Sequence, residues 1–250
     1  MQRYFVLKDQ IKNNEQIVIS GDDYHHIVRV MRMNEGDEVI CSNGNGLAAL
    51  CEIEQITNES VIVRVIESKE ERTELPVHIY IAHGLPKGDK FELVIQKGTE
   101  LGAFSFIPFL AARSVVKWEA KKAEKKLERW QKIAKEAAEQ AHRSCVPYVH
   151  APMTLRELVK FAQTFDYRLV AYEEEARNGE GAVLRTVLRQ MKPGQSLVVL
   201  FGPEGGFSEQ EIDLLRDHGF LSCGLGPRIL RTETAPLYLL AAASYEWELK

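Results

Sequence analysis

Cysteine is scarce in this sequence, and long apolar runs are missing. The 250 residues include four cysteines, none of them in a CxxC pair. Neither a structural zinc site nor a disulfide framework is therefore indicated, and we predict no bound metal. No segment approaches the roughly 18 uninterrupted apolar residues of a membrane span, and the start, MQRYFVLKDQ, has no apolar run long enough for a signal peptide. We expect a cytoplasmic protein without a membrane partner.

Two glycine motifs of nucleotide-binding enzymes are also absent. The chain has no GK[ST] phosphate loop and no GxGxxG dinucleotide fingerprint. Its nearest candidate, GPEGGFSEQE at 202–211, carries Glu204 at its centre, where a carboxylate would repel a phosphate group. An ATPase or an NAD-dependent enzyme is therefore disfavoured.

The distribution of charge is more informative than its sum. The net charge of −4 alone would argue against a nucleic-acid partner. Between Ala111 and Cys145, however, ten Lys and Arg face five Glu, and a local basic stripe is what a phosphate backbone responds to. The ten cations are Arg113, Lys117, Lys121, Lys122, Lys125, Lys126, Arg129, Lys132, Lys135 and Arg143.

A helix predicted over 119–143 carries most of this charge. Apolar residues recur along it at helical spacing and form a narrow seam: Ala120, Ala123, Leu127, Trp130, Ala134, Ala137 and Ala141. The lysines fall mostly elsewhere around the helix. They could form a solvated outer face or a surface for RNA, and the sequence leaves both readings open.

Up to about Ser68 the pattern predicts short strands of a small β-barrel or sandwich. The turn NGNG at 43–46 joins two of them as a hairpin. One helix interrupts the strands at DDYHHIVRVMRM, with Tyr24, Ile27, Val28 and Met31 on an apolar face and His25, Arg29 and Arg32 on the opposite one. The charged segment ESKEERTELP marks a boundary, so we predict domains over 1–72 and 73–250.

After Pro76 apolar strands alternate with helices, which predicts an α/β domain with a mainly parallel sheet covered on both faces. Helices are expected at 89–102, 119–143, 154–165, 181–191, 208–218 and 235–248. Capping boxes mark two starts, Thr154 with Glu157 and Ser208 with Glu211, and Pro236 lies in the first turn of the last helix.

Ligands of open α/β sheets bind beyond the carboxyl ends of the strands. Three loops meet that condition here: Tyr172 to Glu175, Gly202 to Phe207, and Gly224 to Thr232. The second has three glycines that would let backbone groups approach a ligand closely. The third, in LGPRILRTETA, carries two arginines and a glutamate that a simple connection does not need, which indicates a binding site.

The chain resembles a known family over essentially its whole length. Five segments carry the resemblance in order: YHHIVRVMRMNEGDEV, KGDKFELVIQKGTELGAFSFIPF, RWQKIAKEAAEQAHRSCVP, FGPEGGFSEQEI and LGPRILRTETA. They are similar to the RsmE family of SPOUT-class methyltransferases, which methylate N3 of one uridine in small-subunit (16S) ribosomal RNA. Ala103 and Phe104 after TELG are a local departure without functional consequence.

The resemblance implies a SPOUT domain with a deep trefoil knot that binds S-adenosyl-L-methionine, preceded by a PUA-like RNA-binding β-barrel. It also implies a homodimer acting on 16S rRNA in the small ribosomal subunit.

Mapped onto this sequence, the implied cofactor-binding residues lie in the third loop and at the strand end that leads into the second: Leu200, Gly202, Leu225, Gly226, Ile229, Leu230 and Thr232. Arg231 is the predicted catalytic residue that stabilises the uridine anion, with Glu204 or Glu233 as the proton acceptor. Each of these side chains could instead be a partner in a structural ion pair. Residues expected to contact RNA are His25, Arg29, Arg32, Lys90 and Arg228. The first three could instead form the solvent-exposed face of their helix without contacting RNA. His83, alone at a strand end, is read as structural.

Two alternatives remain open. A SPOUT enzyme could act on a ribose 2′-hydroxyl or on transfer RNA, and the nucleoside formed would separate these. An RNA-binding assembly factor could keep the fold without transfer, and it would bind RNA but incorporate no methyl group. The sequence does not decide which residue takes the proton or how the target uridine is exposed.

Overall fold

Two sets of strands, one in each half of the chain, organise the fold. The computed structural model describes residues 1–6, 16–114, 120–174 and 182–249. Lys117, Glu119, Glu175 and the first residue of the helix expected at 181–191 lie outside them. The chain divides into two compact units: Met1–Glu74 with Ala138–Val146, and Leu75–Ala137 with Pro147–Lys250.

Five strands build the first unit as a half-barrel sheet in the order β1-β3-β4-β5-β2. They are β1 (Gln2–Phe5), β2 (Gln16–Ser20), β3 (Glu38–Ser42), β4 (Leu47–Ile56) and β5 (Ser60–Glu70). β1 pairs parallel with β3, and the other described pairings are antiparallel. The hairpin predicted at 43–46 is confirmed, because β3 ends and the antiparallel β4 begins on either side of it. Gly44 and Gly46 adopt φ of 67° and 81° in this turn, which glycine reaches without strain.

The segment between β2 and β3 differs from the regular helix that the sequence predicts. A short helix, α1 (Asp22–His25), continues as a π-helix (His26–Val30). Ile27 is fully buried, as expected, but Met31 is 40% exposed, so the prediction that Met31 completes an apolar face is wrong. The wider π turn breaks the 3.6-residue period. The helix ends at Val30, and Arg32 just beyond it adopts φ of 54°.

The second unit contains a sheet in the order β12-β10-β11-β6-β7-β8, with β9 paired to β7. Every described pairing in it is parallel, as predicted. The strands are β6 (His78–Gly84), β7 (Ser105–Leu110), β8 (Tyr148–Val149), β9 (Met153–Thr154), β10 (Tyr167–Ala171), β11 (Ser196–Phe201) and β12 (Leu221–Cys223).

The six predicted helices of the second half are all present. They are α2 (Lys90–Glu100), α3 (Ala120–Gln140), α4 (Leu155–Ala162), α5 (Val183–Gln190), α6 (Glu209–Asp217) and α7 (Thr234–Glu248). Both predicted capping boxes form, with Thr154 and Ser208 each accepting from the backbone N–H three residues on. These caps satisfy amide groups that the helix itself leaves unpaired.

Helices cover both faces of this sheet. One face packs on α4 and α6 through buried Leu158, Ala162 and Leu215. On the other face, α2 and α7 pack closely on the strands at Gly98 of α2. A Cβ at this glycine would lie 2.8 Å from the ring of Phe106 and 3.5 Å from the side chain of Leu240 of α7. The strands are therefore buried on both sides, and their carboxyl ends remain as the edge open to a ligand. Among the described helices, none is both long and apolar enough to cross a membrane.

Candidate functional site

A single cavity unites the three loops that the sequence singles out. Its volume is about 590 Å³, and it opens at the carboxyl ends of β10, β11 and β12. Tyr172 and Glu174 line it from the first loop, residues 202–207 from the second, and Leu225 with residues 228–233 from the third. A volume of this size accommodates a ligand as large as a nucleoside with a substantial side chain.

The glycines of the second loop are explained by close packing. A Cβ on Gly202 would lie 3.0 Å from the Cα of Gly206, and one on Gly205 would lie 2.9 Å from the Cβ of Arg113. Gly206 also adopts φ of 65°. Larger residues at these positions would push the loop open. The loop can therefore present backbone groups to the cavity at short range.

Glu204, at the tip of this loop, is held by α2. Its Oε1 accepts from Lys90 Nζ at 2.8 Å and from the backbone N–H of Lys87 at 3.2 Å. Burial raises the pKa of Glu204, but the hydrogen bonds from Lys90 and Lys87 outweigh it, and the net pKa lies below its ordinary value. Glu204 is thus an ionised, paired carboxylate, which makes it a weak proton acceptor.

Glu233 has a different environment. Its side chain is 14% exposed, and its Oε2 lies 3.9 Å from Lys90 Nζ. That oxygen is buried and accepts no hydrogen bond from the described residues. A buried carboxylate oxygen without a donor among the described residues lacks the partner that such atoms usually have.

Thr232 connects the second and third loops. Its Oγ1 donates to the carbonyl of Gly202 at 2.7 Å, and the imidazole of His83 lies 3.0 Å from its carbonyl oxygen. The third loop is therefore fixed to the ends of β11 and β6 at this residue.

The two arginines of the third loop are exposed and line the cavity. In the part of the chain that the structure describes, neither guanidinium of Arg228 and Arg231 makes a hydrogen bond or an ion pair. Ile229 between them is 71% exposed. The cations are therefore available to a ligand that carries negative charge.

Two predicted cofactor residues lie outside the cavity lining. Leu200 is fully buried in the core between the sheet and its helices. Gly226 turns the third loop with φ of 86° and has the hydroxyl of Tyr238 3.7 Å from the position of its Cβ. The other five, Gly202, Leu225, Ile229, Leu230 and Thr232, all line the cavity.

The predicted RNA contacts fall into two groups. Lys90 lines the cavity with Arg228. His25, Arg29 and Arg32 belong to the first unit, where all three side chains are exposed around the π-helix. An exposed face is required for contact with RNA and is equally compatible with plain solvation.

The basic helix α3 packs through the expected seam. Trp130, Ala134 and Ala137 are buried, while Lys125 and Lys126 are exposed. Arg143, counted with the basic segment, is instead buried beside Glu74. The helix ends at Gln140, and Arg143 follows it within the first unit.

Sequence reasoning counted Arg113 in the basic segment but did not place it in the site. It lies in the loop that follows β7, lines the cavity, and donates from Nη1 to the carbonyl of Gly205 at 3.0 Å. The signal was available, because β7 is another parallel strand whose carboxyl end meets the same edge of the sheet.

The described residues contain no group of three or more His, Cys, Asp or Glu that could hold a metal ion. The cavity is instead lined by five carboxylates, Glu173, Glu174, Glu204, Glu209 and Glu233, and four cations, Lys90, Arg113, Arg228 and Arg231. Mixed charge of this kind, with backbone groups of a glycine-rich loop, suits a ligand that carries both positive and negative groups.

Two protein families match this chain. Residues 73–244 match the family described as "RNA methyltransferase domain", and residues 19–66 match the family described as "RNA methyltransferase PUA domain". The first match covers more than half of the chain.

Individual relatives agree with these matches. The chain is 53% identical over 251 residues to the ribosomal RNA small subunit methyltransferase E of Bacillus subtilis (strain 168), which covers 100% of this chain and 98% of the relative. It is 34% identical over 226 residues to the protein of the same name from Synechocystis sp., with 90% of this chain and 71% of the relative covered. A crystal structure of that enzyme from Neisseria gonorrhoeae, bound to S-adenosyl methionine, is similar with a TM-score of 0.86 at 27% identity, and covers 99% of this chain and 98% of the other.

Proposed function

The chain belongs to the ribosomal RNA small subunit methyltransferase E family, and from that premise we propose that it transfers the methyl group of S-adenosylmethionine to N3 of a uridine in 16S ribosomal RNA. The observation that carries the proposal is the cavity at the carboxyl ends of β10 to β12, where a glycine loop faces a loop with two arginines that have no partner among the described residues.

The residues present fit S-adenosylmethionine. Gly202 and Thr232 can offer backbone groups, and Leu225 and Leu230 can offer apolar contacts to an adenine ring. The carboxylates along the wall suit a sulfonium cation, and the absent phosphate loop is not needed, because this ligand carries no phosphate. When bound, it supplies an activated methyl group.

The task left to the protein is to align the uridine and to manage its proton. We propose Glu233 rather than Glu204 as the acceptor of the N3 proton, since Glu204 is already paired with Lys90 while Glu233 Oε2 has no donor among the described residues. Arg231 would stabilise the negative charge that remains on the uridine oxygens. Arg228 and Lys90 would contact the RNA backbone. Because N3 lies on the Watson–Crick edge, the target must be unpaired before it reacts.

We propose that residues 1–72 bind RNA and that residues 73–250 carry out the transfer. His25, Arg29 and Arg32 would supply contacts from the first domain. The third loop, bonded at Thr232 to the ends of two strands, would form part of the trefoil knot expected for the family. The working compartment would be the cytoplasm, where the small ribosomal subunit is assembled.

We also propose a homodimer. Tyr238 and Tyr245 lie two turns apart on α7 and are 41% and 69% exposed, and Ile229 in the third loop is 71% exposed. Large apolar side chains exposed together mark contact surfaces. A second copy covering α7 would bury them beside the cavity.

The proposal predicts one labelled nucleoside. Purified protein, incubated with methyl-labelled S-adenosylmethionine and small subunits from cells that lack the activity, should place the label in 3-methyluridine. Digestion of the RNA and chromatography of the nucleosides measure this. Label in a 2′-O-methyl nucleoside would overturn the base position but keep methyl transfer. RNA binding without any label would favour the assembly factor.

The basic helix gives a second prediction. Replacing Lys121, Lys122, Lys125 and Lys126 with alanine should weaken RNA binding and flatten its dependence on salt. Each lost phosphate contact lowers the magnitude of the slope of log K against log salt by about one. Binding titrations at several salt concentrations measure the slope.

A matched pair of double variants controls for net charge. Lys125 and Lys126 are compared with Lys160 and Lys192, which are exposed lysines on other elements. Only the first pair should change the slope. Equal slopes in both double variants would mean that the face of α3 is solvated and does not meet RNA.

A further inference from the structure

His83 is a fully buried histidine at the carboxyl end of β6, a strand flanked by β11 and β7 in the centre of the sheet. Its ring lies between two aromatic side chains, with centroid distances of 5.9 Å to Phe91 and 6.3 Å to Phe201. It does not line the cavity. Any effect on a ligand must therefore pass through its hydrogen-bond partners.

Those partners belong to the loops of the cavity. His83 Nε2 lies 3.0 Å from the carbonyl oxygen of Thr232 and 3.3 Å from its Oγ1. The Thr232 hydroxyl hydrogen is used elsewhere, because Oγ1 is 2.7 Å from the carbonyl of Gly202. Both Thr232 oxygens are thus acceptors toward the imidazole, so a hydrogen bond to them requires hydrogen on Nε2. The other ring nitrogen, Nδ1, lies 2.7 Å from the carbonyl oxygen of Gly84, which is also an acceptor.

Burial lowers the pKa of His83, against the opposing effects of the Thr232 and Gly84 carbonyls and of the carboxylates of Glu204 and Glu233. A neutral ring carries one N–H, so it donates either to Thr232 or to Gly84. In either form the residue is a buried hydrogen-bond donor inside the sheet.

We infer that His83 is a positioning residue for the cofactor. Its Nε2–H fixes the backbone of Thr232, and Thr232 in turn holds the carbonyl of Gly202, so one buried ring sets the spacing of the loops at 202–207 and 225–232. These loops face each other across the cavity. The identity of the ligand rests on the proposed function, whereas the ordering of the loops does not.

The decisive variants are His83→Leu and His83→Gln. Leucine fills the space but leaves the carbonyl of Thr232 without a donor, and a lost buried partner of this kind should weaken S-adenosylmethionine binding about 10-fold to 100-fold. Glutamine keeps an N–H that can reach Thr232, so it should restore most of the affinity. Isothermal titration calorimetry measures the dissociation constants without requiring turnover.

His150→Leu is the matched control. His150 is another histidine of the second unit whose pKa burial lowers. It is only partly buried, and its ring contacts Tyr148 and Phe161 rather than a loop of the cavity. Its replacement should leave the dissociation constant unchanged. An equal weakening in His83→Leu and His150→Leu would mean a general loss of stability and would overturn the inference.

Hydrogen exchange of the ligand-free protein separates this inference from the proposed function. Amides of 202–207 and 225–232 should exchange faster in His83→Leu than in the parent protein, and close to the parent rate in His83→Gln. Unchanged exchange in the leucine variant would overturn the role of His83, even if the parent binds S-adenosylmethionine. If the two loops exchange faster in His83→Leu but the parent protein does not bind S-adenosylmethionine, the proposed function is overturned and the role of His83 stands.

Thr232→Val is the alternative variant for the same exchange measurement if His83→Leu does not fold. Valine removes the hydroxyl that donates to Gly202 at a partly exposed position. The same two loops should exchange faster, and identical exchange would contradict the network.

Discussion

Replacing Arg231 with alanine is expected to lower kcat/KM for RNA methylation about 100-fold to 1,000-fold, the usual cost of removing one donor aimed at developing negative charge. The guanidinium lines the cavity and has no partner among the described residues. The fold should survive, because α7 begins through the backbone: the carbonyl of Arg231 accepts from the amides of Thr234 and Ala235 at 2.9 and 3.0 Å. Single-turnover rates with labelled cofactor measure the effect.

Two controls limit the interpretation of that experiment. Arg231→Lys keeps the charge but loses the planar fork, so it should recover only part of the rate. Arg189→Ala removes an arginine that is 57% exposed and pairs with Glu246 outside the cavity lining, at 3.6 Å, and it should not change the rate. Near-normal turnover in Arg231→Ala, with intact circular dichroism, would remove Arg231 from the active site.

The fold could be predicted where local chemistry decides it. The S/T-x-x-E pattern at Thr154 and Ser208 specifies a cap within four residues, and both helices begin there. Strand and helix periods alternate after Pro76, and a parallel sheet follows from that alternation. The family resemblance and the α/β class are confirmed on the same segments.

Prediction failed where contacts with residues distant in sequence determine whether a side chain is exposed or buried. The period of the helix at 22–31 cannot reveal that a π turn would expose Met31. The composition of the basic segment cannot reveal that Arg143 turns inward to a carboxylate 69 residues earlier in the chain. Spacing describes one element at a time, and these outcomes depend on how several elements meet.

The candidate site divides in the same way. The loops could be located from topology alone, because the carboxyl ends of parallel strands share one edge. The partners of the side chains in these loops could not be predicted, because they are distant in sequence. Lys90 and Glu204 are 114 residues apart, and His83 and Thr232 are 149 residues apart. A lone buried histidine therefore reads as structural in the sequence, and only the geometry shows which loop it holds.

The buried charges of the first unit give the largest expected effect on stability. Replacing Glu74 with alanine should lower the free energy of unfolding of this unit by about 3–5 kcal/mol, as for other buried pairs that lose one partner. Glu74 Oε2 accepts from Arg143 Nε at 3.1 Å, and its Oε1 accepts from the amide of Ser144 at 3.0 Å. The Arg143 side chain is only 4% exposed, so the variant removes the Glu74 carboxylate from beside a buried cation. Hydrogen exchange of the amides in β3 and β4, measured over a series of urea concentrations, reports the free energy of unfolding of this unit.

Glu52→Ala provides the matched control in the same unit. Glu52 pairs with Arg64 at 3.3 Å, but the two side chains are 38% and 46% exposed, and pairs in water contribute about 0–1 kcal/mol. The two variants remove the same charge and differ in burial, so the difference between them isolates the contribution of the buried Glu74 carboxylate. If Glu74→Ala destabilised the unit no more than Glu52→Ala, the guanidinium of Arg143 would have found water or another acceptor, and the buried pair would not be what ties residues 138–146 to the strands.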